Sequence, residues 1–372
     1  MNNFAKMLSC GALMLASGLS VSAAIDNTAY GILAFSDDQY KMANHVVTFD
    51  LLSEAEPVFK TAVPFSQTST AGAYGGKFYY IATSKEGTDG EVPVSLVRVD
   101  LSTGSNSTVG SLNGFAHLIN DMTYDWSTSR MYAVSRIDGA VSGLYTIDLS
   151  TAAATKVATL DRRFFTLAAS YSGQLYGISF EGDFCSIDKA DGTVTVIGAT
   201  GHLPEKFQTM EFDHAERKLY WLASTHRFNE SGTIEVPECF VATIDPATGA
   251  VTRLRNFGDN QVAGLYIPSF AAPDNCPAAV IAPEVTPAAG GVSAATLSWT
   301  NPSETFGGEP LKALTKVEIS RGGAVVGTVT GAEPGKASTY TDNIGAAEGG
   351  VYEWLITPYN APGAGASVAR AT

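Results

Sequence analysis

The stretch that decides the fold runs from Met122 to Val157 and reads MTYDWSTSRMYAVSRIDGAVSGLYTIDLSTAAATKV. It predicts four short β-strands in succession, separated by turns. Near copies of this pattern stand before it and after it, which is typical of a repeat architecture. The chain is therefore expected to be an array of similar four-stranded units.

Three columns of residues recur in register along this array. An aromatic residue opens each unit: Phe65, Phe115, Phe165, Phe207 and Phe257. The second strand carries a tyrosine: Tyr30, Tyr79, Tyr132, Tyr176 and Tyr220. The third strand ends in an aspartate before a turn: Asp50, Asp100, Asp148, Asp188 and Asp245. Units of about 40 to 57 residues with four strands each predict the blades of a β-propeller.

The first unit lacks an innermost strand, whereas an unassigned strand follows the fifth unit at Val262 to Ile267. Its spacing after Phe257 suits an innermost strand, so we expect it to complete the first blade and close the ring, which removes an exposed sheet edge. The predicted fold class is all-β, with a five-bladed β-propeller over residues 27–268. The aspartates in its turns are expected to accept hydrogen bonds from backbone N–H groups and not to bind metal.

Alanine and proline in residues 269–282 indicate a linker, and residues 283–372 predict a β-sandwich of short alternating strands. Within it, LSW with Trp299, the segment VYEWLITPYN and the YTD before it resemble the fibronectin type III family. The run WTNPSETFGGEPLKALTKVEISRGG looks like the version found in large secreted surface proteins of Gram-negative bacteria. The resemblance covers the last quarter of the chain. Proteins of that kind often carry further sandwich domains and a C-terminal sorting or anchoring module, so two expectations stay open: a short protein, or a fragment with further domains beyond Thr372.

The N-terminal segment predicts export. Residues 1–23 contain Lys6, an apolar stretch and a small-residue site at Val21-Ser22-Ala23, so a secretory signal cleaved near Ala23 is expected, with a secreted or outer-surface product. A lipoprotein signal at Cys10 is disfavoured, because almost no apolar segment precedes it. The formal net charge of -14 argues against nucleic acid or anionic lipid as a partner, and no other apolar run approaches the ~20 residues of a membrane span.

Cleavage of the signal leaves an odd number of cysteines, Cys185, Cys239 and Cys276, in a compartment where disulfides form. One bridge at most is possible, and Cys239 with Cys276 is the preferred pair, because both lie outside strand centres. The alternative is that all three are small buried apolar side chains.

One face of the predicted ring carries the longer loops, and rigid scaffolds present ligands on such loops, so we expect a ligand there, at the mouth of the central channel. The candidate ligand-binding residues are Thr70, Asp121, Thr166, Thr209 and Gln261, aligned just before the innermost strands, with Asn120, Arg136, His226 and Arg227 in the loops around them. Arg162 and Arg163 are loop candidates by position. The alternative for the aligned polar residues is that they cap strand ends and bind water.

Asp121 and Glu211 are the two innermost-strand carboxylates expected near the axis, and glycoside hydrolysis uses two carboxylates. They are catalytic candidates by count alone, since no recognisable motif surrounds them. Zinc-protease, P-loop and CxxC motifs are absent, and the five histidines never pair at ligand spacing, so neither a metal nor a cofactor is expected.

The expected function is that of an exported, non-enzymatic binding or adhesion protein. Its loop face would bind an extracellular glycan or protein, and the sandwich would act as a spacer. Two alternatives remain open: a secreted glycosidase-type enzyme that uses Asp121 and Glu211, or a structural part of a larger surface assembly.

Overall fold

A computed structural model describes residues 28–35, 45–62, 68–75, 78–87, 90–101, 103–139, 141–226, 238–270, 272–287, 294–321, 324–344 and 352–371. Every regular element in these ranges is a β-strand. The signal expected at residues 1–23 lies outside them.

The first half of the repeat region contains β1 (Thr28–Phe35), β2 (His45–Asp50), β3 (Val58–Ala62), β4 (Thr68–Gly75), β5 (Phe78–Gly87), β6 (Gly90–Val99), β7 (Asn106–Ser111), β8 (Ile119–Asp125), β9 (Arg130–Asp138), β10 (Val141–Ile147) and β11 (Ala154–Thr159). The second half contains β12 (Ala168–Ala169), β13 (Leu175–Ile178), β14 (Asp183–Ile187), β15 (Val194–Ala199), β16 (Leu203–Pro204), β17 (Thr209–Asp213), β18 (Lys218–His226), β19 (Glu238–Ile244), β20 (Val251–Asn256) and β21 (Gln261–Tyr266). The C-terminal part contains β22 (Ser269–Phe270), β23 (Ile281–Pro287), β24 (Ala294–Thr300), β25 (Lys316–Arg321), β26 (Ala324–Val329), β27 (Ala337–Asn343), β28 (Glu353–Tyr359) and β29 (Ser367–Ala371).

The described residues of the repeat region form five antiparallel sheets in series. Sheet 1 has the order β21-β1-β2-β3, sheet 2 is β4 to β7, sheet 3 is β8 to β11, and sheet 4 is β12 to β15. Sheet 5 is β17 to β20, with the short β16 also paired to β18. The predicted closure is confirmed, because β21 pairs with β1 from the other end of the repeat region, with Tyr30 opposite Tyr266 and Ile32 opposite Ala263.

The innermost strands of the five sheets contact one another in a closed ring. Strand β21 lies against β4, β4 against β8, β8 against β12, β12 against β17, and β17 against β21. Apolar clusters fill the seams between successive sheets; Tyr220 of sheet 5, for example, packs with Phe49 and Val47 of sheet 1. A ring of radially arranged antiparallel sheets is the architecture of a β-propeller.

The turns predicted at the third-strand aspartates are present on the rim. The Asp148 carboxylate accepts hydrogen bonds from the backbone N–H groups of Ser150 and Thr151 at 2.8 and 3.0 Å, and Asp245 accepts one from Ala247 at 2.9 Å. In each of these Asx-type turns, the residue four positions after the aspartate has a left-handed backbone conformation. Gly249 supplies it with a φ of 75°, whereas Ala152 adopts a φ of 64° at the equivalent place.

A column of mostly small residues on the fourth strands lets each rim turn approach the preceding sheet. A Cβ on Gly110 would lie 2.6 Å from the carbonyl oxygen of Thr151, and one on Gly198 would overlap the carbonyl oxygen of Thr248. At the closing seam Arg255 occupies this column and donates to the carbonyl oxygen of Asp50 at 2.6 Å. Between sheets 1 and 2 the equivalent residue is Thr61, whose hydroxyl donates to the carbonyl oxygen of Gly104 at 2.9 Å. The rim seams are therefore closed by close approach at three small residues, by a hydroxyl at Thr61 and by a guanidinium at Arg255.

The C-terminal part consists of two further sheets, with the orders β22-β29-β28-β25-β26 and β23-β24-β27. Their shared core includes Trp299, Val317 and Trp354. The indole N–H of Trp354 donates to Asp342 at 2.7 Å, which satisfies a polar group in that core. At both ends of the predicted linker the structure differs from the expectation, because Ser269 and Phe270 pair with β29 and β23 already begins at Ile281.

The C-terminal sheets sit on the turns that follow the innermost strands of the ring. Arg217 lies between two aromatic rings, 4.3 Å from that of Tyr171 in the ring and 4.1 Å from that of Phe306 in the C-terminal part. Its guanidinium also donates to the Phe306 carbonyl oxygen. Trp126, on the turn after β8, contacts Phe270 edge to face at 5.8 Å. This face of the ring, which we call the capped face, is therefore occupied; the opposite one is the loop face.

The preferred disulfide is wrong: Cys185, Cys239 and Cys276 are all free and buried. Cys239 packs in the seam between sheets 5 and 1, whereas Cys276 is buried in the linker region and does not belong to that cluster. Burial raises the pKa of Cys185 and of Cys239 to about 11, which keeps both as unreactive thiols. In the described ranges there is no helix with the length and apolar composition of a membrane span.

Candidate functional site

Asp121 stands at the centre of the ring and joins several sheets. Its carboxylate accepts hydrogen bonds from its neighbour, the Met122 N–H of β8, at 3.0 Å, and from the Leu167 N–H beside β12 at 3.0 Å. The Thr209 hydroxyl of β17 donates to the same carboxylate at 3.1 Å, and Thr209 in turn accepts the Leu265 N–H of β21 at 3.2 Å. One buried carboxylate thus connects sheets 3, 4 and 5 directly and reaches sheet 1 through a hydroxyl.

The side chain of Asp121 has no solvent exposure. Burial raises its pKa well above the usual range, against the opposing effect of the hydrogen bonds from Leu167, Met122 and Thr209. Those bonds use both carboxylate oxygens. The arrangement is that of an internal strut rather than of a group presented to a ligand.

Tyr79 and two glycines fill the remaining space beside the strut. The Tyr79 hydroxyl donates to the carbonyl oxygen of Gly264, and a Cβ on Gly264 would lie 2.7 Å from the Cα of Gly72. Burial, followed by the charges of Asp121 and Glu211, raises the pKa of Tyr79 well above its usual range. A glycine at 264 is required here on two grounds, its φ of 61° and this close backbone approach.

Glu211, the second carboxylate candidate, also points inward and is buried. It lies 3.4 Å from the Nε2 atom of His214, which is likewise buried. Burial raises the pKa of Glu211, although the His214 contact opposes the shift. The backbone N–H of His214 donates to the Ser269 hydroxyl at 3.0 Å, so this pair lies next to the cap formed by the C-terminal part.

The other residues predicted to line the channel mouth are distributed over separate contacts. The hydroxyl of Thr166 accepts the Ile178 N–H within sheet 4 at 2.9 Å, and the Gln261 amide donates to Ser224 at 3.1 Å across the seam of sheets 5 and 1. His226 contacts the Glu205 carboxylate. Thr70 belongs to β4, but its side chain is outside the described part of the structure, as is Arg227 altogether.

The loop face brings together Arg136 at the end of β9 and Arg163 ahead of β12; we call these two residues the arginine pair. Ser142 of β10 joins the two backbone segments that carry them. It pairs with Arg136 across the β9–β10 ladder, its N–H donates to the Arg162 carbonyl oxygen at 3.1 Å, and its hydroxyl accepts the Phe164 N–H at 3.1 Å. Both arginines are thus held on backbone segments that are fixed to the same residue.

The guanidinium of Arg163 lies over two stacked phenylalanine rings. It is 4.7 Å from the ring of Phe180 and 5.6 Å from that of Phe165, and the two ring centroids are 5.2 Å apart. Phe165 is buried, whereas Phe180 is 46% exposed. Burial and then the nearby positive charge of Arg136 lower the pKa of Arg163, with Glu181 opposing.

The arginine pair differs from the adjacent Arg162 in its charge partners. Arg162 lies 3.0 Å from Asp183 and 3.4 Å from Asp161. Within the described ranges neither Arg136 nor Arg163 forms an ion pair, and the buried Nε atom of each has no hydrogen-bond partner. The carbonyl oxygen of the Asn120 side chain, one residue before Asp121, is also buried without a partner there.

These two regions have different chemical capacities. The axis is buried and its central carboxylate is saturated with donors, so it offers no open position for a reacting group. The loop face offers cationic donors, an acceptor and an exposed ring. Sequence reasoning named Arg136, Asn120 and Arg163 by loop position but missed Phe180; the signal was an aromatic residue in the tight hairpin ISFEGDF, where a polar turn residue is expected.

The described residues contain no group of three or more histidine, cysteine, aspartate or glutamate side chains that could hold a metal ion. The closed ring of four-stranded sheets places the chain in the class of all-β proteins of the β-propeller type.

No protein-family model and no curated protein sequence matches the chain. Solved structures with some likeness include TolB from Acinetobacter baumannii, at 17% identity over 74% of this chain and 61% of that one with a TM-score of 0.39. A structural genomics protein of unknown function from Bacteroides thetaiotaomicron VPI-5482 is 12% identical over 53% of this chain and 66% of its own, with a TM-score of 0.32. YCF48 bound to D1 peptide is 12% identical over 65% and 81%, with a TM-score of 0.32.

The chain spans less than two thirds of the length of TolB and of the Bacteroides protein. At TM-scores below 0.5 these likenesses carry no argument about what this chain does.

Proposed function

We propose that this chain is an exported, non-enzymatic binding protein whose loop face takes up an extracellular glycan or protein. The observation that carries the proposal is the arginine pair, two cations without an acidic partner among the described residues on the face that the C-terminal part leaves open. Cationic donors without partners on a rigid scaffold point to a binding site, because buried polar groups normally have hydrogen-bond partners.

The proposed scaffold is a five-bladed propeller followed by a fibronectin type III-like sandwich. The ring of contacts from β21 through β4, β8, β12 and β17 supports the blade count. In the C-terminal part, the first, second and fifth of the seven strands from β23 make one sheet, and the seventh, sixth, third and fourth make the other. That division into two antiparallel sheets with Greek-key connections supports the sandwich assignment, and the sandwich would serve as a spacer. Export rests on the signal sequence in residues 1–23.

The burial of the carboxylates favours binding over catalysis. A retaining or inverting glycosidase needs one carboxylic acid and one carboxylate on either side of a bound sugar. Asp121 has no exposed surface, and Glu211 lies at the capped end beside His214. A sugar could reach neither group without separation of the innermost strands.

The test is an array of glycans and extracellular proteins, probed with the chain that begins after Ala23. We expect saturable binding of at least one ligand, and retention of that binding in Glu211→Gln. A matched variant, Arg136→Gln, should weaken it by about 10- to 100-fold. Release of reducing sugar by the wild type, abolished in Glu211→Gln, together with no ligand binding above background would overturn the proposal.

A further inference from the structure

The arginine pair lies in an acidic protein, which makes its lack of acidic partners informative. The formal net charge is -14, so carboxylates are in excess. One of them neutralises Arg162 at 3.0 Å, immediately next to Arg163 in the chain. The nearest acid to Arg163 in electrostatic terms is Glu181, which forms no ion pair with it in the described structure. Arg136 and Arg163 therefore have no acidic partner in the described structure, although Asp183 and Glu181 lie nearby.

The Arg163 guanidinium and the backbone of Arg136 are both held in place. Arg163 is held over the rings of Phe165 and Phe180, and its carbonyl oxygen accepts the Phe180 N–H at 2.7 Å. The backbone of Arg136 is held in the β9–β10 ladder opposite Ser142. Their Nε–H groups are desolvated and need acceptors. The planar fork of a guanidinium matches a carboxylate or a phosphate in a bidentate manner, so an oxyanion of this shape suits the pair.

Asn120 and Phe180, on the same face, favour a ligand that has a hydrogen-bond donor and an apolar surface in addition to a negative charge. Ile119 pairs with Ser135, so Asn120 and Arg136 lie at the same end of the β8–β9 ladder. The buried side-chain oxygen of Asn120 requires a hydroxyl or N–H donor. Phe180 exposes 46% of its surface and offers an apolar contact.

From this combination we infer that the loop face binds a glycan containing uronic acid residues. The carboxylate of one uronate unit is placed on Arg136 and Arg163, a hydroxyl of the same unit donates to Asn120, and the apolar face of the sugar ring lies against Phe180. The inference rests on the proposed function and specifies its ligand. An acidic peptide can supply an N–H donor to Asn120, but its carboxylate is carried on a flexible side chain without the apolar ring face that lies against Phe180.

The overall charge of the chain sharpens this inference. A polyanionic glycan is repelled by a protein of net charge -14, so non-specific adsorption is disfavoured. Any uronate binding at physiological ionic strength, where the Debye length is about 8 Å, must come from a local site.

The experiment measures the binding of galacturonate and mannuronate oligomers to the chain that begins after Ala23, by calorimetry at physiological salt. The same oligomers as methyl esters are the matched neutral ligands, and an oligo-aspartate of equal charge is the peptide arm. We expect a uronate oligomer to bind and its methyl ester not to bind. Arg136→Gln and Arg163→Gln should each weaken binding by about 10- to 100-fold, the range for charge-assisted hydrogen bonds.

Two controls carry the same charge change. Arg162→Gln removes a cation that Asp183 already neutralises, and Arg98→Gln removes an exposed one on the outer part of sheet 2, where it donates to Ser107 at 3.0 Å. Both should keep the wild-type Kd within about threefold, because neither cation is available to the ligand. Phe180→Ala should weaken binding several-fold, and the melting temperatures of all variants should confirm that each is folded.

Several outcomes would overturn the inference: no binding of either uronate oligomer, equal binding of the methyl esters, equal losses in Arg162→Gln, or oligo-aspartate bound at least as tightly through the same arginines. If a neutral glycan or a protein from the array binds independently of the arginine pair, the uronate assignment fails while a binding function stands. Glycan hydrolysis without binding would instead remove the proposed function itself.

Discussion

At the axis, the Asp121 carboxylate is fully buried and accepts the N–H groups of Met122 and Leu167, whereas at the rim the exposed Asp148 accepts those of Ser150 and Thr151. The same side chain with the same type of hydrogen bond has its pKa moved in opposite directions. Burial raises the pKa of Asp121, and the hydrogen bonds from Ser150 and Thr151 lower that of Asp148. Solvent access therefore decides the sign, since desolvation penalises the charged form only where water is excluded.

Asp121 occurs once at the axis, whereas the aspartate turns on the rim recur in successive sheets. Asp121 alone connects sheets 3, 4 and 5, and the other innermost strands of the described residues offer no second aspartate at its position. The rim turns recur around the ring, so the loss of one leaves the others in place. A ligand is thus more readily accommodated on the loop face, away from an axis that the ring needs for its own cohesion.

The largest effect is expected for Asp121→Ala. The substitution leaves the N–H groups of Leu167 and Met122 and the Thr209 hydroxyl without an acceptor in a buried place, which should lower the free energy of unfolding by about 3 to 5 kcal/mol. Denaturant unfolding followed by tryptophan fluorescence measures this. Thr123→Val is the smaller matched change, because it removes one buried acceptor, for the Ala169 N–H at 3.0 Å. A midpoint for Asp121→Ala equal to that of Thr123→Val would contradict the role of a strut.

A moderate effect is expected at a rim seam for Gly198→Ala. The added Cβ overlaps the Thr248 carbonyl oxygen of the next sheet, so sheets 4 and 5 must move apart. Overpacking of this kind costs about 1 to 3 kcal/mol, again measured by denaturant unfolding. Gly139→Ala is the control, because a Cβ there meets nothing within 4 Å. Equal stabilities for the two variants would show that the seam is not closely packed.

The repeat columns were sufficient to predict the strands, the turns and the closure of the ring by β21. Their success has a physical basis, because each column marks one role in every sheet. The rim column of Gly110, Ala158 and Gly198 was also visible in the sequence, two residues before Leu112, Leu160 and Thr200, but was not recognised. It would have indicated how closely each turn approaches its neighbour.

The candidate site was less accessible to sequence reasoning. Asp121 was predicted to face a ligand in the channel, and its placement as a strut depends on Leu167 and Thr209, which lie 46 and 88 residues away. Alignment placed these residues in one ring without giving the width of that ring. Similarly, the arginine pair comes together through Ser142, a residue with no chemical feature that distinguishes it in the sequence.

A pH effect is expected from Glu211, whose pKa burial raises in the folded state. A carboxyl group of this kind contributes its full stability below its unfolded pKa of about 4.3, and that contribution is lost as the pH rises through the folded pKa. Wild type should therefore lose more stability than Glu211→Gln between pH 4 and pH 8, by about 2 °C or more in Tm. Glu216→Gln, an exposed change on the following turn, should keep the wild-type profile. Parallel Tm curves for wild type and Glu211→Gln would contradict this assignment.

The smallest effect, and the opposite sign, are expected for Asp148→Ala on the rim. The lowered pKa of Asp148 means that its contribution is present above the unfolded pKa of about 3.9 and is lost as the pH falls through the folded value. The Tm difference between wild type and Asp148→Ala should thus be largest near pH 7 and should vanish towards pH 2. Asp148→Asn keeps an acceptor for the Ser150 N–H without the charge, so its difference from wild type should be smaller at pH 7. If the Tm difference between wild type and Asp148→Ala did not change with pH, the side chain would stabilise the turn through its shape and not through its charge. If Asp148→Ala lost as much stability at pH 7 as Asp121→Ala, the ring would depend on each rim turn as much as on Asp121.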